Sequence, residues 1–391
     1  MNQGHFRVLI TADAAGPWQH GLDLAGGLAR LGIETLIAVT GPPLSEEQRE
    51  AAAAMPMLTL VETGFALGGP AEDDAALALA REGIARLARA ACVDLVQLDN
   101  AALAAEAAFD VPVVVAHRNC LVTWWRAVNG TGLPEEFAWR SRLVARGLAA
   151  ADRVVTPTAA FAEMVQHCYR LADRPFAVHD GRAPLAAPSA ALHDFVFTAG
   201  RLWDEGKNLG TIDAAAGAIA VPVHAAGPIE GPNGAVMFDN IHCLGPLGDA
   251  ERGRWLSARP VFVSAAFYEP CGLSVLEAAA AGCALILSDI PAFRELWDGV
   301  ATFIPPRDER AFTDAIASLV GDDFERAVQG RAAKERACRY TPDAMAAQMA
   351  ALYRSLLPKV RGPVLAACGR RDDRLPAAAI SGKESPGRAS P

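Results

Sequence analysis

Short apolar runs alternate with alanine- and leucine-rich helical patterns along most of the chain, and this alternation limits the possible folds more than any other feature. Parallel strands need long crossover connections, so a strand–helix–strand repeat predicts parallel sheets covered by helices. The first half carries six predicted strands, bounded by Gly, Pro, Asp or Thr: RVLITAD (7–13), TLIAVT (35–40), MLTLVET (57–63), DLVQLDN (94–100), VPVVVAH (111–117) and DRVVTPT (152–158). Residues 72–91 show a helical pattern between them.

A second series of strands begins near residue 195, so the fold starts again there. Its predicted strands are FVFTAGR (195–201), VPVHAAG (221–227), IHCLGPL (241–247), PVFVSAA (260–266) and CALILSD (283–289). A chain of 391 residues exceeds what one core usually organises. We therefore predict an α/β protein with two Rossmann-like domains facing across a cleft: domains 1–180 and 195–340, a linker 181–194, a C-terminal helix within 341–360 and a disordered tail 361–391.

Composition excludes several classes of partner. The net charge of −9 and pI near 5.4 leave no basic surface of the kind that binds nucleic acid. Eight cysteines lie scattered without metal-ligand spacing, so we expect no metal site. The N-terminus has no apolar signal region, and no apolar run reaches the roughly 18 residues of a membrane span. We expect a cytoplasmic protein without a transmembrane segment.

A predicted strand turns directly into a helix within FVSAAFYEPCGLSVLEAAAAG (262–282). Ligands of parallel sheets bind at the carboxyl ends of the strands. Gly272 removes a side chain where the helix begins, so the backbone N–H groups of Leu273 and Ser274 are open to an anion. This segment predicts a phosphate site.

Two glutamates flank this helix start. Glu277 lies a turn inside the helix, where its carboxylate can accept two hydrogen bonds from a vicinal diol such as a ribose. Glu269 lies in the preceding loop and faces the same crevice. The alternative is that Glu269 is a solvated loop residue and Glu277 a surface helix residue.

Two cations follow another predicted strand, in FTAGRLWDEGKNL (197–209). Arg201 offers a bidentate fork and Lys207 a mobile point charge, a combination that suits a diphosphate. The alternative is that both are ordinary surface cations paired with Asp204 or Glu205.

Together these segments resemble the group 1 glycosyltransferases of the GT-B fold, which are retaining enzymes. The shared motifs are Gly200-Arg201-Leu202 with Lys207-Asn208, and Glu269-Pro270 to Glu277-Ala278. The resemblance implies that Arg201 and Lys207 bind the donor diphosphate, Glu277 the ribose and Glu269 the transferred sugar. It also implies a C-terminal helix that crosses back to the first domain.

The resemblance implies that domain 1–180 binds the acceptor and domain 195–340 the nucleotide-sugar donor, and it is thinner in the acceptor half. The family's Gly-Gly pair reads Ala15-Gly16 here, with Gly16 able to form a tight loop toward phosphate or acceptor. His117 ends a predicted strand where relatives often have a histidine facing the reacting sugar; the alternative is a polar strand end. Trp124 and Trp125 can stack on a sugar or an apolar acceptor, with core packing as the alternative for at least one.

The predicted function is therefore retaining, metal-independent transfer of a hexosyl group from a UDP or GDP sugar to a glycan, lipid or small-molecule hydroxyl, as in cell envelope polysaccharide biosynthesis. No cofactor is expected, because the nucleotide sugar is the donor substrate. A nucleotide-sugar epimerase or hydrolase and a non-catalytic nucleotide-sugar-binding subunit remain alternatives. The first strand and loop lack G-x-G-x-x-G, which argues against a dehydrogenase.

Overall fold

The computed structural model describes residues 5–16, 18–67, 73–106, 109–187 and 191–357. These residues form two parallel-sheet α/β domains, which confirms the predicted two-domain fold. The predicted tail 361–391 lies outside the described residues, as do positions 188–190 of the predicted linker and 358–360 at the end of the predicted C-terminal helix.

The first domain is built on a seven-stranded parallel sheet whose strand order is β3-β2-β1-β4-β5-β6-β7. Its strands are β1 (Arg7–Asp13), β2 (Glu34–Thr40), β3 (Leu58–Glu62), β4 (Leu95–Leu98), β5 (Val113–Ala116), β6 (Arg153–Thr156) and β7 (Phe176–Ala177). Its helices are α1 (Trp18–Arg30), α2 (Glu46–Ala53), α3 (Asp74–Ala90), α4 (Leu121–Asn129), α5 (Ala138–Ala150) and α6 (Ala159–Tyr169), with 3-10 turns at Ala101–Ala104 and Glu135–Phe137. Helices cover both faces of such a sheet, which explains the continuous apolar strand runs. Strand β7 was not predicted, because two residues carry no periodicity.

The second domain repeats this plan with a six-stranded parallel sheet of order β12-β9-β8-β13-β14-β15. Its strands are β8 (Val196–Ala199), β9 (Val223–Ala226), β10 (Glu230–Gly231), β11 (Gly234–Ala235), β12 (Ile241–Gly245), β13 (Val261–Ser264), β14 (Ala284–Ser288) and β15 (Thr302–Ile304), with β10 and β11 forming a separate hairpin. Its helices are α7 (Leu209–Ala216), α8 (Asp249–Ser257), α9 (Leu273–Ala281), α10 (Pro291–Trp297), α11 (Glu309–Val320) and α12 (Asp323–Ala337), with a 3-10 turn at Glu205–Lys207. The short strands β10, β11 and β15 were not predicted.

The last helix, α13 (Pro342–Leu356), packs against the first domain. Met345 and Tyr353 are buried in that domain's core, and the Tyr353 hydroxyl lies 2.5 Å from Oε1 of Gln97. Helix α1 approaches α13 so closely that a Cβ at Gly27 would lie 2.5 Å from Cβ of Ala346. Only glycine fits at that crossing, so the sequence of α1 is adapted to holding α13 in place.

Candidate active site

A cleft of about 520 Å³ separates the two domains, and loops at the carboxyl ends of strands from both sheets line it. Such an edge is where open α/β sheets bind ligands. The structure brings most of the predicted donor-site residues to this cleft, together with the predicted loop glycine: Gly16, Arg201, Lys207, Glu269, Leu273, Ser274 and Glu277.

Helix α9 begins at the wall of this cleft. Gly272 precedes it with φ of 69°, a left-handed conformation that favours glycine, and no side chain caps the helix. The Gly272 N–H donates to Oε1 of Glu269 at 3.0 Å. The N–H groups of Leu273 and Ser274 follow in the first turn, so this helix end offers an anion both donors and the positive end of the helix dipole.

Lys207 and Glu269 form an ion pair on the same wall. Their side chains are only 17% and 10% exposed, so solvent screens this pair little. Burial raises the pKa of Glu269, but the Lys207 charge and the hydrogen bonds from Lys207 and Gly272 outweigh it and hold that pKa below its ordinary value. Glu269 is therefore a carboxylate at neutral pH, suited to accepting hydrogen bonds rather than donating a proton.

Arg201 lies at the rim of the cleft. Its side chain is half exposed, its Nη2 donates to Oδ2 of Asp204 at 2.9 Å, and its guanidinium lies 5.6 Å from the ring centroid of Trp203. The two neighbours orient the guanidinium while leaving donors toward solvent. Arg201 is thus positioned to receive an anionic ligand entering the cleft.

Glu277 is buried, and two arginines hold its carboxylate. Arg182 Nε donates to Oε1 at 3.0 Å, and Arg252 Nε donates to Oε2 at 2.8 Å. Arg182 also reaches the first domain, with Nη1 3.3 Å from Oδ2 of Asp23. Sequence reasoning missed both arginines: Arg182 lies in the segment predicted as a linker, and its pairing with a residue 159 positions away has no local signal.

A second buried cluster that the sequence did not reveal also lines the cleft. Arg118, directly after His117, forms a bidentate ion pair with Asp180, with 2.6 Å between Nη2 and Oδ2. Burial and the Arg118 charge lower the pKa of His20 to about 3, so its ring is neutral beside this pair. The cluster fixes the loop after β5 to the end of the first domain.

His117 faces a separate cavity of about 340 Å³ in the first domain, which we call the first-domain cavity. Its ring is buried and stacks on Phe161 with 5.9 Å between centroids. Burial lowers the pKa of His117 to about 4, and within the described chain its Nε2 has no hydrogen-bond partner. Asn119 lines both this cavity and the cleft, so the two spaces adjoin.

The two tryptophans line neither space. Trp124 Nε1 donates to Oδ1 of Asp204 at 2.8 Å, a contact between the two domains. Trp125 Nε1 donates to Oγ1 of Thr131 at 3.2 Å. The structure therefore places Trp124 in the domain interface, packed against the first-domain core, and Trp125 half-buried against Trp124 and Phe137.

Both halves of the chain match glycosyltransferase family models. Residues 15–181 match the model described as Glycosyltransferase Family 4, and residues 194–322 match the model described as Glycosyl transferases group 1. The phosphatidyl-myo-inositol mannosyltransferases of Mycobacterium leprae and Mycolicibacterium smegmatis are 30% and 31% identical over 123 residues, 31% of this chain. These alignments span about a third of the length of those relatives, 33% and 32%.

Solved structures resemble the whole architecture. Sucrose-phosphate synthase from Thermosynechococcus elongatus superposes with a TM-score of 0.72 at 18% identity, covering 90% of this chain and 99% of that one. The Anabaena protein HepE in complex with UDP-glucose has a TM-score of 0.68 at 16% identity, covering 90% and 100%. At these identities the likeness establishes the fold, which is GT-B.

Two features are absent from the described part of the chain. No helix there has the length and apolar character to cross a membrane. No group of three or more His, Cys, Asp or Glu residues in the described ranges is arranged to hold a metal ion.

Proposed function

We propose that this chain, a GT-B glycosyltransferase by its fold and by the family matches of both halves, transfers a hexosyl group from a nucleoside diphosphate sugar to a hydroxyl group, with retention and without a metal. The observation that carries the proposal is the grouping of Lys207, Glu269 and the α9 N-terminus on one wall of the cleft. That grouping offers an anion site beside an ionised carboxylate.

The donor would lie across this wall. Lys207, Arg201 and the first N–H groups of α9 would bind the diphosphate, since cations and a helix N-terminus neutralise such a group together. Glu277 would accept hydrogen bonds from the ribose, and Glu269 from the transferred sugar. UDP or GDP sugars are the proposed donors; the names of the mannosyltransferase relatives and the UDP-glucose complex of the HepE neighbour favour hexoses.

The proposed reaction exchanges one bond for another at the anomeric carbon. The bond between the anomeric carbon and the diphosphate oxygen breaks, and a bond between that carbon and the acceptor oxygen forms on the same face. The acceptor proton passes to the departing diphosphate. Negative charge on the diphosphate grows during this step. Arg201, Lys207 and the α9 N-terminus would therefore stabilise the transition state more than the bound donor. Asn119, which lines both spaces, and His117, which lines the first-domain cavity, would face the acceptor.

The acceptor would be a glycan, a lipid-linked sugar or a small molecule, and the proposed setting is envelope polysaccharide synthesis in the cytoplasm. The relatives named for phosphatidyl-myo-inositol support a lipid-linked acceptor among these.

The test is a panel of UDP and GDP sugars measured by thermal shift, followed by product analysis with the stabilising donors. A ligand at about 100 times its Kd adds about 2.7 kcal/mol to native stability, which a melting curve resolves. NMR of the product's anomeric proton reports retention. If no nucleotide sugar and no free nucleoside diphosphate stabilises the protein, the proposal is overturned. If the only products are free sugar or epimerised donor, the hydrolase or epimerase is favoured.

A further inference from the structure

Arg182 lies in the segment that joins the two domains, and carboxylates from three helices surround its guanidinium. Its Nε donates to Glu277 of α9 at 3.0 Å, its Nη2 donates to Asp249 of α8 at 2.5 Å, and its Nη1 lies 3.3 Å from Asp23 of α1. Burial lowers the pKa of Arg182, but the three carboxylates outweigh it and raise that pKa above its ordinary value. Each nitrogen of a permanently charged group therefore faces a different helix.

The carboxylate of Glu277 has little hydrogen-bonding capacity left for a ligand. A carboxylate offers about four lone-pair sites. Oε1 of Glu277 accepts from Arg182 Nε and from Arg252 Nη2 at 3.1 Å, and Oε2 accepts from Arg252 Nε at 2.8 Å. A vicinal diol that donates both hydroxyl groups needs two of these sites. One arginine contact therefore has to be given up when a ribose binds to this carboxylate.

The contact from Arg182 is the easier one to release. Arg252 holds Glu277 through two nitrogens, and its guanidinium is also fixed by the Leu247 carbonyl at 3.1 Å and by Asp249 at 2.7 Å. Arg182 holds Glu277 through Nε alone, and its other nitrogens already face carboxylates. Giving up one hydrogen bond costs less than giving up two.

Asp23 is the carboxylate with the most to gain from a nearer guanidinium. It is 8% exposed, yet the contacts of its carboxylate are long, at 3.3 Å to Nη1 of Arg182 and 3.3 Å to Nε2 of Gln19. Burial raises the pKa of Asp23 although the Arg182 charge opposes this effect. Charge-assisted hydrogen bonds are strongest at about 2.7–2.9 Å, so a shorter contact would stabilise this buried carboxylate.

We propose that Arg182 is a positioning residue that exchanges partners when a nucleoside diphosphate binds: its Nε leaves Glu277 to a ribose hydroxyl, and its guanidinium moves closer to Asp23. The identity of the ligand rests on the proposed function. Because Asp23 belongs to the first domain and Glu277 to the second, nucleotide binding then strengthens an ion pair between the domains. Coupling of this kind is reciprocal, so loss of the Asp23 carboxylate must weaken nucleotide binding.

The test is calorimetric binding of UDP and GDP to the full chain, with Asp23→Asn measured in two backgrounds. In the wild-type background this change is expected to weaken the better-bound nucleotide about 5-fold or more, a usual coupling between linked sites. In the Arg182→Gln background it is expected to change the affinity less than about 2-fold, because no guanidinium is left to move. Asp343→Asn is the matched control, since that exposed carboxylate pairs with Arg30 at the other end of α1 and should leave the affinity unchanged.

A measurement on the wild type covers the case in which a variant does not fold. Crystal structures with and without the bound nucleotide are expected to show a ribose hydroxyl in place of the Arg182 contact to Glu277, and Arg182 within about 3.0 Å of Asp23. The exchange is overturned, with the donor site left standing, by a bound ribose beside an intact Arg182 contact to Glu277, by wild-type affinity in a folded Asp23→Asn variant, or by an equal Asp23→Asn effect in both backgrounds. Failure of the wild type to bind either nucleotide would refute the donor site and the exchange together.

Discussion

The Tyr268 hydroxyl of the second domain lies 2.8 Å from Oγ1 of Thr123 in the first domain. The same hydroxyl accepts from the Cys120 N–H at 3.3 Å and lies 3.2 Å from Oδ1 of Asn119. Tyr268 directly precedes Glu269. The loop that carries the proposed sugar-binding carboxylate is therefore fixed to the wall of the first-domain cavity, so the Tyr268 side chain links the proposed donor side to the proposed acceptor side.

Tyr268→Phe should weaken this connection. Removing the hydroxyl leaves buried partners unpaired, at a cost of about 1–3 kcal/mol in the free energy of unfolding. It should also lower kcat/KM, because Glu269 loses its fixed position relative to the acceptor. Tyr340→Phe is the control, since the Tyr340 hydroxyl donates to the Leu296 carbonyl outside the cleft; that variant should lose stability without a comparable kinetic loss. Equal kinetics in the two variants would contradict a positioning role for Tyr268.

Arg201→Ala and Lys207→Ala should each lower kcat/KM about 10- to 100-fold. Charged hydrogen bonds contribute about 1.5–3 kcal/mol, and about 1.4 kcal/mol is tenfold in rate. Much of the loss should fall on kcat, since the diphosphate gains charge as the glycosidic bond breaks. Arg310→Ala, at a side chain 92% exposed, is the control for loss of a surface cation. Steady-state kinetics that match this control in both variants would remove the donor site from this wall.

Glu277→Gln should weaken nucleoside diphosphate binding and also destabilise the fold. Its carboxylate neutralises Arg182 and Arg252, so the neutral amide leaves two largely buried guanidinium groups without that charge. Breaking buried pairs costs about 3–5 kcal/mol. Glu269→Gln is the comparison, expected to bind free nucleoside diphosphate nearly as the wild type does but to turn over slowly. The affinity of both variants for nucleoside diphosphate is measured by calorimetry at a temperature where both are folded. A wild-type affinity in Glu277→Gln would refute the assignment of this residue to the ribose.

Chelation should leave activity unchanged. Arg201, Lys207 and the α9 N-terminus are proposed to neutralise the leaving diphosphate, so no divalent ion has a role to lose. Transfer is measured after EDTA treatment and again after excess Mg²⁺ or Mn²⁺ is added. Activity that disappears with EDTA and returns with either ion would show that this account of the leaving group is wrong.

The sheets and much of the cleft could be predicted because their signals are local. A continuous apolar run predicts a buried parallel strand, and Gly272 ahead of a helix marks the turn proposed to face the phosphate. The predicted residues Lys207 and Glu269 reach each other because both follow strands of one sheet, β8 and β13, which are neighbours.

The ion pairs that join the domains could not be predicted, since nothing in a sequence records a contact that forms only when two domains meet. Arg182 looked like part of a proline-containing linker, yet it bridges Asp23 and Glu277 from opposite sides of the cleft. Trp124 looked suited to stacking, but its indole N–H is held by Asp204 of the other domain. In both cases a polar side-chain atom bonds to a partner more than 75 positions away in the sequence.

His117 should make stability fall in mild acid. The pKa of His117 is about 4 in the folded protein, whereas the unfolded chain has the ordinary value of 6.5. Between these two pH values the unfolded chain therefore binds a proton that the folded protein does not. The contribution of His117 to the free energy of unfolding is therefore fully present above about pH 7. It declines as the pH falls from 6.5 toward 4, and at pH 5 about 2 kcal/mol has been lost. His20, whose pKa is lowered to about 3, acts in the same direction.

Urea unfolding at pH 7.5 and pH 5 should show a smaller difference in the free energy of unfolding for His117→Gln than for the wild type, because the variant has no ring to protonate. His167→Gln, at an exposed ring, should keep the wild-type difference. A His117→Gln variant with the wild-type difference would mean that the ring is not excluded from water, and the unpaired Nε2 would then have solvent rather than a ligand as its partner.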